Sequence, residues 1–210
     1  MNLILFGASG TIGQRILAEA LRRGHAVTAV SRDPSRITQN DLQLKIVRGD
    51  VLDPENIAAL ACGHDAMISA VGPGKGNPQE VVAAARSLTQ AMRKLPGVRL
   101  IVVGGAGSLR GPSGTQLVDL PDFPAAWKPA ALAHREALDV YQHSDVDWTY
   151  LSPAAVIEPG ERTGKYRTGT DHLLVDEKGD SRISTEDYAV ALLDELEKPK
   201  FKGRRFTVAY

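Results

Sequence analysis

Cysteine is almost missing from this chain. Cys62 is the one thiol among 210 residues, so no internal disulfide can form, and a reducing compartment, the cytoplasm, is the expected setting. Long apolar runs are missing too: none approaches the roughly 18 residues that a membrane-spanning helix needs. The N-terminus has neither the basic start nor the cleavage site of a secretory signal, so no membrane partner is expected. An excess of one charge is also lacking, because 25 Lys and Arg stand against 25 Asp and Glu. A neutral total creates no field that would draw the protein to nucleic acid or an anionic surface. What remains, 43% hydrophobic and 24% charged residues, is the composition of a folded globular chain and excludes disorder. A small molecule is the expected partner, and no sequence feature points to a particular oligomer.

The length suits a single domain, here residues 1–210. Apolar, β-branched runs recur at Leu3 to Phe6, Ala26 to Val30, Leu44 to Val47, Ala66 to Val71, Val98 to Val103 and Trp148 to Leu151. Their near-continuity predicts strands buried on both faces. Helical spacing fills the gaps at Thr11 to Arg23, Pro54 to Ala61, Pro78 to Leu95 and Pro129 to Tyr141, and proline opens three of these four stretches, as suits the first turn of a helix. Strands alternating with helices predict an α/β fold with a doubly wound parallel sheet, strand order 3-2-1-4-5-6, and a ligand crevice at the carboxyl ends of strands 1 and 4. After residue 151 turn signals dominate. A hairpin (Lys165 to Thr168 with His172 to Val175), a helix from the cap sequence Ser184 to Asp187 through Glu197, and a last strand Arg205 to Tyr210 are expected. Residues 152–210 read as an elaboration covering the crevice, and Lys198, Lys200, Lys202, Arg204 and Arg205 as a solvated turn.

Gly7-Ala8-Ser9-Gly10-Thr11-Ile12-Gly13 follows the first strand and opens the first helix. A chain leaving a parallel strand must turn sharply there, and absent side chains let backbone N–H groups and the positive helix end approach a pyrophosphate. That context points to a nicotinamide dinucleotide. Where an NAD-selective chain places a carboxylate after strand 2, this one has Ser31-Arg32-Asp33. Arg32 suits a 2′-phosphate, with Ser31 adding a hydroxyl, so NADP is favoured; in the other reading Arg32 is a solvated loop residue and Asp33 serves the ribose of NAD. Asp50, before Val51, either accepts from the adenine amino group or caps the helix near Pro54. Ala70-Val71-Gly72-Pro73-Gly74 forms a second small-residue loop at the same edge.

These motifs resemble the short-chain dehydrogenase/reductase superfamily. Asp147 to Pro153, Pro159 to Gly164 and Ile183 to Ala189 narrow the resemblance to its atypical branch of NAD(P)H-flavin reductase-like proteins, related to biliverdin reductase B and the NmrA-like proteins. The resemblance implies an NAD(P)-binding Rossmann fold in which Pro153 and its loop border the nicotinamide. It also implies candidate catalytic roles for His134, which matches a recurring histidine of the biliverdin reductase B pattern, and for Ser108, near the usual catalytic serine. None of the five tyrosines has the lysine four residues later that typical members use to lower the tyrosine pKa. Ordinary ketone reduction needs such a donor, whereas a flavin or quinone spreads the arriving charge over its own rings.

The expected activity is therefore reduction of a flavin or quinone-like acceptor by NADPH, with Phe123, Trp127 and Tyr166 as candidate stacking surfaces. A dinucleotide-binding redox sensor of the NmrA type is the alternative. His25, His64, His143 and His172 show no metal-ligand spacing with one another or with Cys62. Arg32→Asp is expected to weaken NADPH binding far more than NADH binding in calorimetric titrations; an equal loss for both would remove the preference for NADP.

Overall fold

A computed structural model describes residues 1–73 and 76–210 of the chain. Fifteen elements follow one another: β1 (Asn2–Phe6), α1 (Thr11–Arg22), β2 (Ala26–Ser31), β3 (Leu44–Arg48), α2 (Pro54–Ala61), β4 (Ala66–Ser69), α3 (Glu80–Met92), β5 (Arg99–Val103), α4 (Lys128–Gln142), β6 (Trp148–Ser152), β7 (Val156–Glu158), β8 (Arg167–Gly169), β9 (Arg182–Ser184), α5 (Thr185–Glu197) and β10 (Arg204–Ala209). The main sheet runs β3-β2-β1-β4-β5-β6-β10-β8. All its pairings are parallel except β10 with β8. The expected order 3-2-1-4-5-6 is present, extended by two strands, and the fold is a doubly wound, Rossmann-like α/β sheet.

Strand periodicity divides the core between two faces. Leu3 and Leu5 of β1 pack with Ile16 and Leu17 of α1 and Leu192 of α5. Their neighbours Ile4 and Phe6 meet Ile57 of α2, Leu88 of α3 and Ala137 of α4 on the other side. Both faces are covered, so β1 must be apolar at every position inside the sheet. Local signals start two of the helices. Asp53 caps α2 by accepting from the backbone N–H groups of Glu55 and Asn56 at 3.0 and 3.1 Å, and Ser184 caps α5 by accepting from Asp187 N–H at 2.9 Å.

Several expectations change in the structure. β3 is an edge strand and only half-buried, so its apolar run does not mark a strand covered on both faces. β4 ends at Ser69 and α3 begins at Glu80, because the chain from Ala70 to Pro73 leaves the sheet as a loop. The hairpin does not form. β8 pairs antiparallel with β10, and His172 bridges to Arg110; β10 would otherwise end the sheet with unpaired backbone groups, which β8 satisfies. Among the described residues, none from 152 onward lines the crevice. Residues 152–210 supply α5, which packs beside α1, and β10, which joins the sheet beside β6. Arg205 is buried and bound to Asp171 and Ser108, so it does not belong to a solvated turn.

One ion pair ties the C-terminal part to the sheet. Arg99 of β5 bonds to the Glu195 carboxylate of α5, to the Glu195 carbonyl at 2.8 Å and to Thr149 Oγ1 of β6 at 2.7 Å. Glu195 also accepts from the N–H groups of Lys200 and Phe201 at 2.8 and 3.0 Å, holding the turn into β10. The two side chains are 9% and 3% exposed, so removing either partner strands a buried charge. Urea unfolding should show Arg99→Ala losing about 3–5 kcal/mol. Arg93→Ala, whose partner Asp145 lies in solvent, should lose less than about 1 kcal/mol.

Candidate functional site

The turn from β1 into α1 is built by close approach. Gly7 has φ +82°, and a Cβ there would lie 2.5 Å from the Ala70 carbonyl oxygen of the loop after β4. A Cβ on Gly13 would lie 2.0 Å from the Gly7 carbonyl oxygen. These two glycines bring the loop after β1, the loop after β4 and the start of α1 to one place. The turn is closed by Gly10 N–H donating to Gly7 O at 3.0 Å. Gly10 is also the N-cap of α1, so no side chain satisfies the first helical amides, and the first turn holds no acid. Thr11, Ile12 and Gly13 occupy positions whose N–H groups have no acceptor within the helix. Together with the helix dipole they form a positive, unpartnered edge suited to phosphate oxygens.

A cavity of about 710 Å³ opens above that edge. Because the sheet order is β2-β1-β4-β5, the cavity runs from Ser31, Arg32 and Arg36 after β2, past Ser9 to Ile12 and Val51, to Ala70, Val71 and Gly72, ending at Val103, Gly104 and His134. The structure thus brings together Gly7, Ser9, Gly10, Thr11, Ile12, Ser31, Arg32, Val51, Ala70, Val71, Gly72 and His134 from the sequence reading. Gly74 lies outside the described residues. Gly13 sits behind the turn, where its lack of a side chain counts rather than any contact. At the β2 end Ser31 Oγ and the Asp33 backbone bond to each other, at 2.9 and 3.1 Å. The Asp33 carboxylate is taken by Ser35, through N–H at 3.2 Å and Oγ at 2.6 Å. That leaves Arg32, 3.7 Å from Glu80, and Arg36 as the cations facing the crevice at this end among the described residues.

His134 of α4 occupies the far end. Its Nδ1 lies 3.3 Å from the Tyr150 hydroxyl, which donates to the His134 carbonyl at 3.0 Å and accepts from Gly105 N–H at 3.3 Å. Loss of hydration at this half-buried position lowers the imidazole to a pKa of about 4, so His134 is neutral at physiological pH. Tyr150 is fully buried, and desolvation holds its phenol protonated. Its ring packs where a Cβ on Gly104 would be, 2.0 Å from Cε1. Tyr150 thus anchors His134 and is not itself exposed to a ligand.

Three candidates are placed elsewhere. Ser108 is 3% exposed and its hydroxyl accepts from Arg205 at 2.8 Å; a catalytic assignment does not fit a buried hydroxyl already bonded to a buried guanidinium. Pro153 is buried and does not line the cavity. Asp50 accepts from Leu52 N–H at 2.9 Å and does not line the cavity, although Gly49 and Val51 do; the cap of α2 is Asp53. The stacking candidates are not in the crevice either: Trp127 is 62% exposed, and Tyr166 bonds Asp194 on the α5 side. The sequence reading missed Arg36, Glu80, Val103 and Gly104. Arg36 had a signal, a second arginine four residues after Arg32 across the turn at Pro34, and Gly104 had one in the small-residue run after β5.

A family model described as NAD(P)H-binding matches residues 7–199. The chain belongs to the NAD(P)H-binding family. This NAD(P)H-binding protein is 44% identical to the uncharacterized protein YwnB of Bacillus subtilis, over 99% of this chain and 98% of that one. A Burkholderia pseudomallei protein proposed to be exported shares 48% identity with a TM-score of 0.90, covering 100% of both chains. A Streptococcus pneumoniae protein proposed to be an NADH-flavin reductase shares 35% identity with a TM-score of 0.85, covering 100% of this chain and 99% of that one. The expected NAD(P)-binding Rossmann fold is present, and the likeness to a protein proposed to be an NADH-flavin reductase runs along the whole chain. Among the described residues no helix is long and apolar enough to cross a membrane, and no group of three or more metal-binding side chains occurs.

The glycine geometry makes a direct prediction. Gly13→Ala forces its methyl against the Gly7 carbonyl and should weaken NADPH binding by more than about tenfold, read by fluorescence titration. Gly10→Ala, whose Cβ has a single neighbour at 3.4 Å, should lose less.

Proposed function

We propose that this protein is an NAD(P)H-dependent reductase that favours NADPH and reduces a flat, conjugated acceptor of the flavin or quinone class. The observation that carries the reading is the chemistry at the β5 end of the crevice, where the one ionisable side chain lining it among the described residues is His134. The amides of Thr11 and Ile12 would hold the diphosphate, Arg32 and Arg36 the 2′-phosphate, and Ala70 to Gly72 the riboses. Bound there, the reduced nicotinamide supplies a hydride. The neutral imidazole of His134 can hold one hydrogen bond to an acceptor atom but carries no proton to deliver as a cation. A ketone becoming an alkoxide needs that proton as the hydride arrives; a conjugated ring disperses the charge and takes its proton from water. Small residues at Gly72 and Gly104 leave a flat surface for such a ring. The low-cysteine composition and the need for reduced dinucleotide favour a cytoplasmic setting.

Retention of the phosphate-holding edge beside so sparse a set of reacting groups also suits a protein that binds the dinucleotide and signals its redox state. Turnover separates the two. Purified protein with NADPH and FMN, riboflavin or a quinone should oxidise the cofactor steadily above the uncatalysed rate. Tight NADPH binding without turnover on any of these acceptors would overturn the reductase reading. Because the His134 pKa is lowered to about 4, the imidazole stays neutral as pH rises from about 5.5 to about 8, and kcat/KM should show no histidine inflection in that window. An inflection near the ordinary histidine value, lost in His134→Gln, would contradict the proposed state of this group.

A further inference from the structure

We infer that the protein carries a second ligand site, on the outer side of α1, for a small molecule bearing two or more carboxylate or phosphate groups. The cavity there measures about 410 Å³ and shares only Arg36 with the dinucleotide crevice. It does not depend on the function proposed above. Its floor is apolar, from Ala8, Leu17 and Ile37, all buried. Arg15, Arg22, Arg36 and Arg162 line it, against the carboxylates of Glu19 and Glu186 alone, so four guanidinium charges face two carboxylates.

The arrangement of those arginines is that of a receptor. Glu19 is 4% exposed and accepts from three guanidiniums at once. Arg22 reaches it through Nε and Nη2 at 2.9 and 2.7 Å, and Arg162 through the same pair of atoms at 2.8 and 2.9 Å. Arg23 is balanced separately by Asp194 and Glu197, at 2.8 and 2.9 Å. One carboxylate is therefore shared by two further cations, and its pKa is driven far below the ordinary range by the hydrogen bonds from those arginines, against its own desolvation. Each of the two forks is fixed along one edge, which leaves its Nη1 for another acceptor. Arg15 is held by Glu186 through Nε at 3.1 Å, leaving its Nη2. A fork already held in place loses little rotamer freedom when it takes a second anion, and planar forks match carboxylate and phosphate oxygens. An apolar floor under a ring of forks fits an anion with a hydrocarbon portion better than a bare ion.

Thermal unfolding with citrate, succinate, inorganic phosphate or pyrophosphate tests this, against sodium chloride at matched ionic strength. At a hundredfold excess over Kd a bound probe should raise Tm by about 5–10 °C. Carboxylate and phosphate probes in parallel show which oxyanion the site prefers. Ala18 lines this cavity and not the crevice, and it lies exposed on α1, so Ala18→Glu adds a negative charge where the ligand would sit and keeps a good helix former. The shift should vanish in Ala18→Glu and shrink in Arg22→Gln, while NADPH binding by Ala18→Glu stays at the wild-type level. No shift with any probe at millimolar concentration, or an equal shift in Ala18→Glu, would overturn the site. Loss of NADPH binding by the wild-type protein would instead count against the proposed function and leave this site standing.

Discussion

The structure depends on one contact of backbone with backbone: the Gly7 carbonyl lying where a Cβ on Gly13 would be, with Gly7 itself pressed on the carbonyl of Ala70. That contact seats α1 on β1 and draws in the loop after β4. It also leaves the first amides of α1 pointing at solvent from a cap without a side chain. The other helices with polar caps close their first turns with Asp53 and Ser184. Here the closure is withheld, and the uncompensated N–H groups form an edge suited to an anion.

Two helical layers hold that edge in place. α1 leans on α5 through the core that contains Ile16, Leu17, Leu192 and Leu193, and the sheet passes its other face to α2, α3 and α4. The buried pair Arg99 and Glu195 and the Glu19 cluster are electrostatic ties between elements far apart in the chain. The first joins β5 to α5 and the turn before β10; the second joins α1 to the loop holding Arg162. Buried charges of this kind resist rearrangement more than they add stability, because each is costly without its partner. The chemistry end of the crevice is held differently, by neutral groups: a desolvated imidazole, a buried phenol and glycines at 104 and 105 that give the Tyr150 ring and His134 room to pack.

Much of this was readable before folding. The turn at Gly7 to Gly13, the six strands, the last strand and all five helices follow from patterns of nearest neighbours: apolar runs, caps, prolines at helix starts, glycines between a strand and a helix. Ser108 was misread because its chain position lies near the crevice while Arg205, nearly a hundred residues later, claims its hydroxyl. Tyr166 was misread for a similar reason, its partner Asp194 being on a helix that packs against the far side of α1. Arg36 was overlooked although Pro34 marks a turn between it and Arg32; the two arginines line the same crevice.

The sequence by itself determined the alternation of strand and helix, the parallel sheet that such alternation requires, and the glycine turn between β1 and α1, since each rests on residues within a few positions of one another. Only the tertiary structure decided that β8 would finish the sheet, that α5 would lie against α1, which way the residues from 152 onward would face, and that three arginines from two segments would meet on one buried carboxylate. Those outcomes turn on charge and packing between groups distant in sequence, and their energies exist only when the chain has closed on itself.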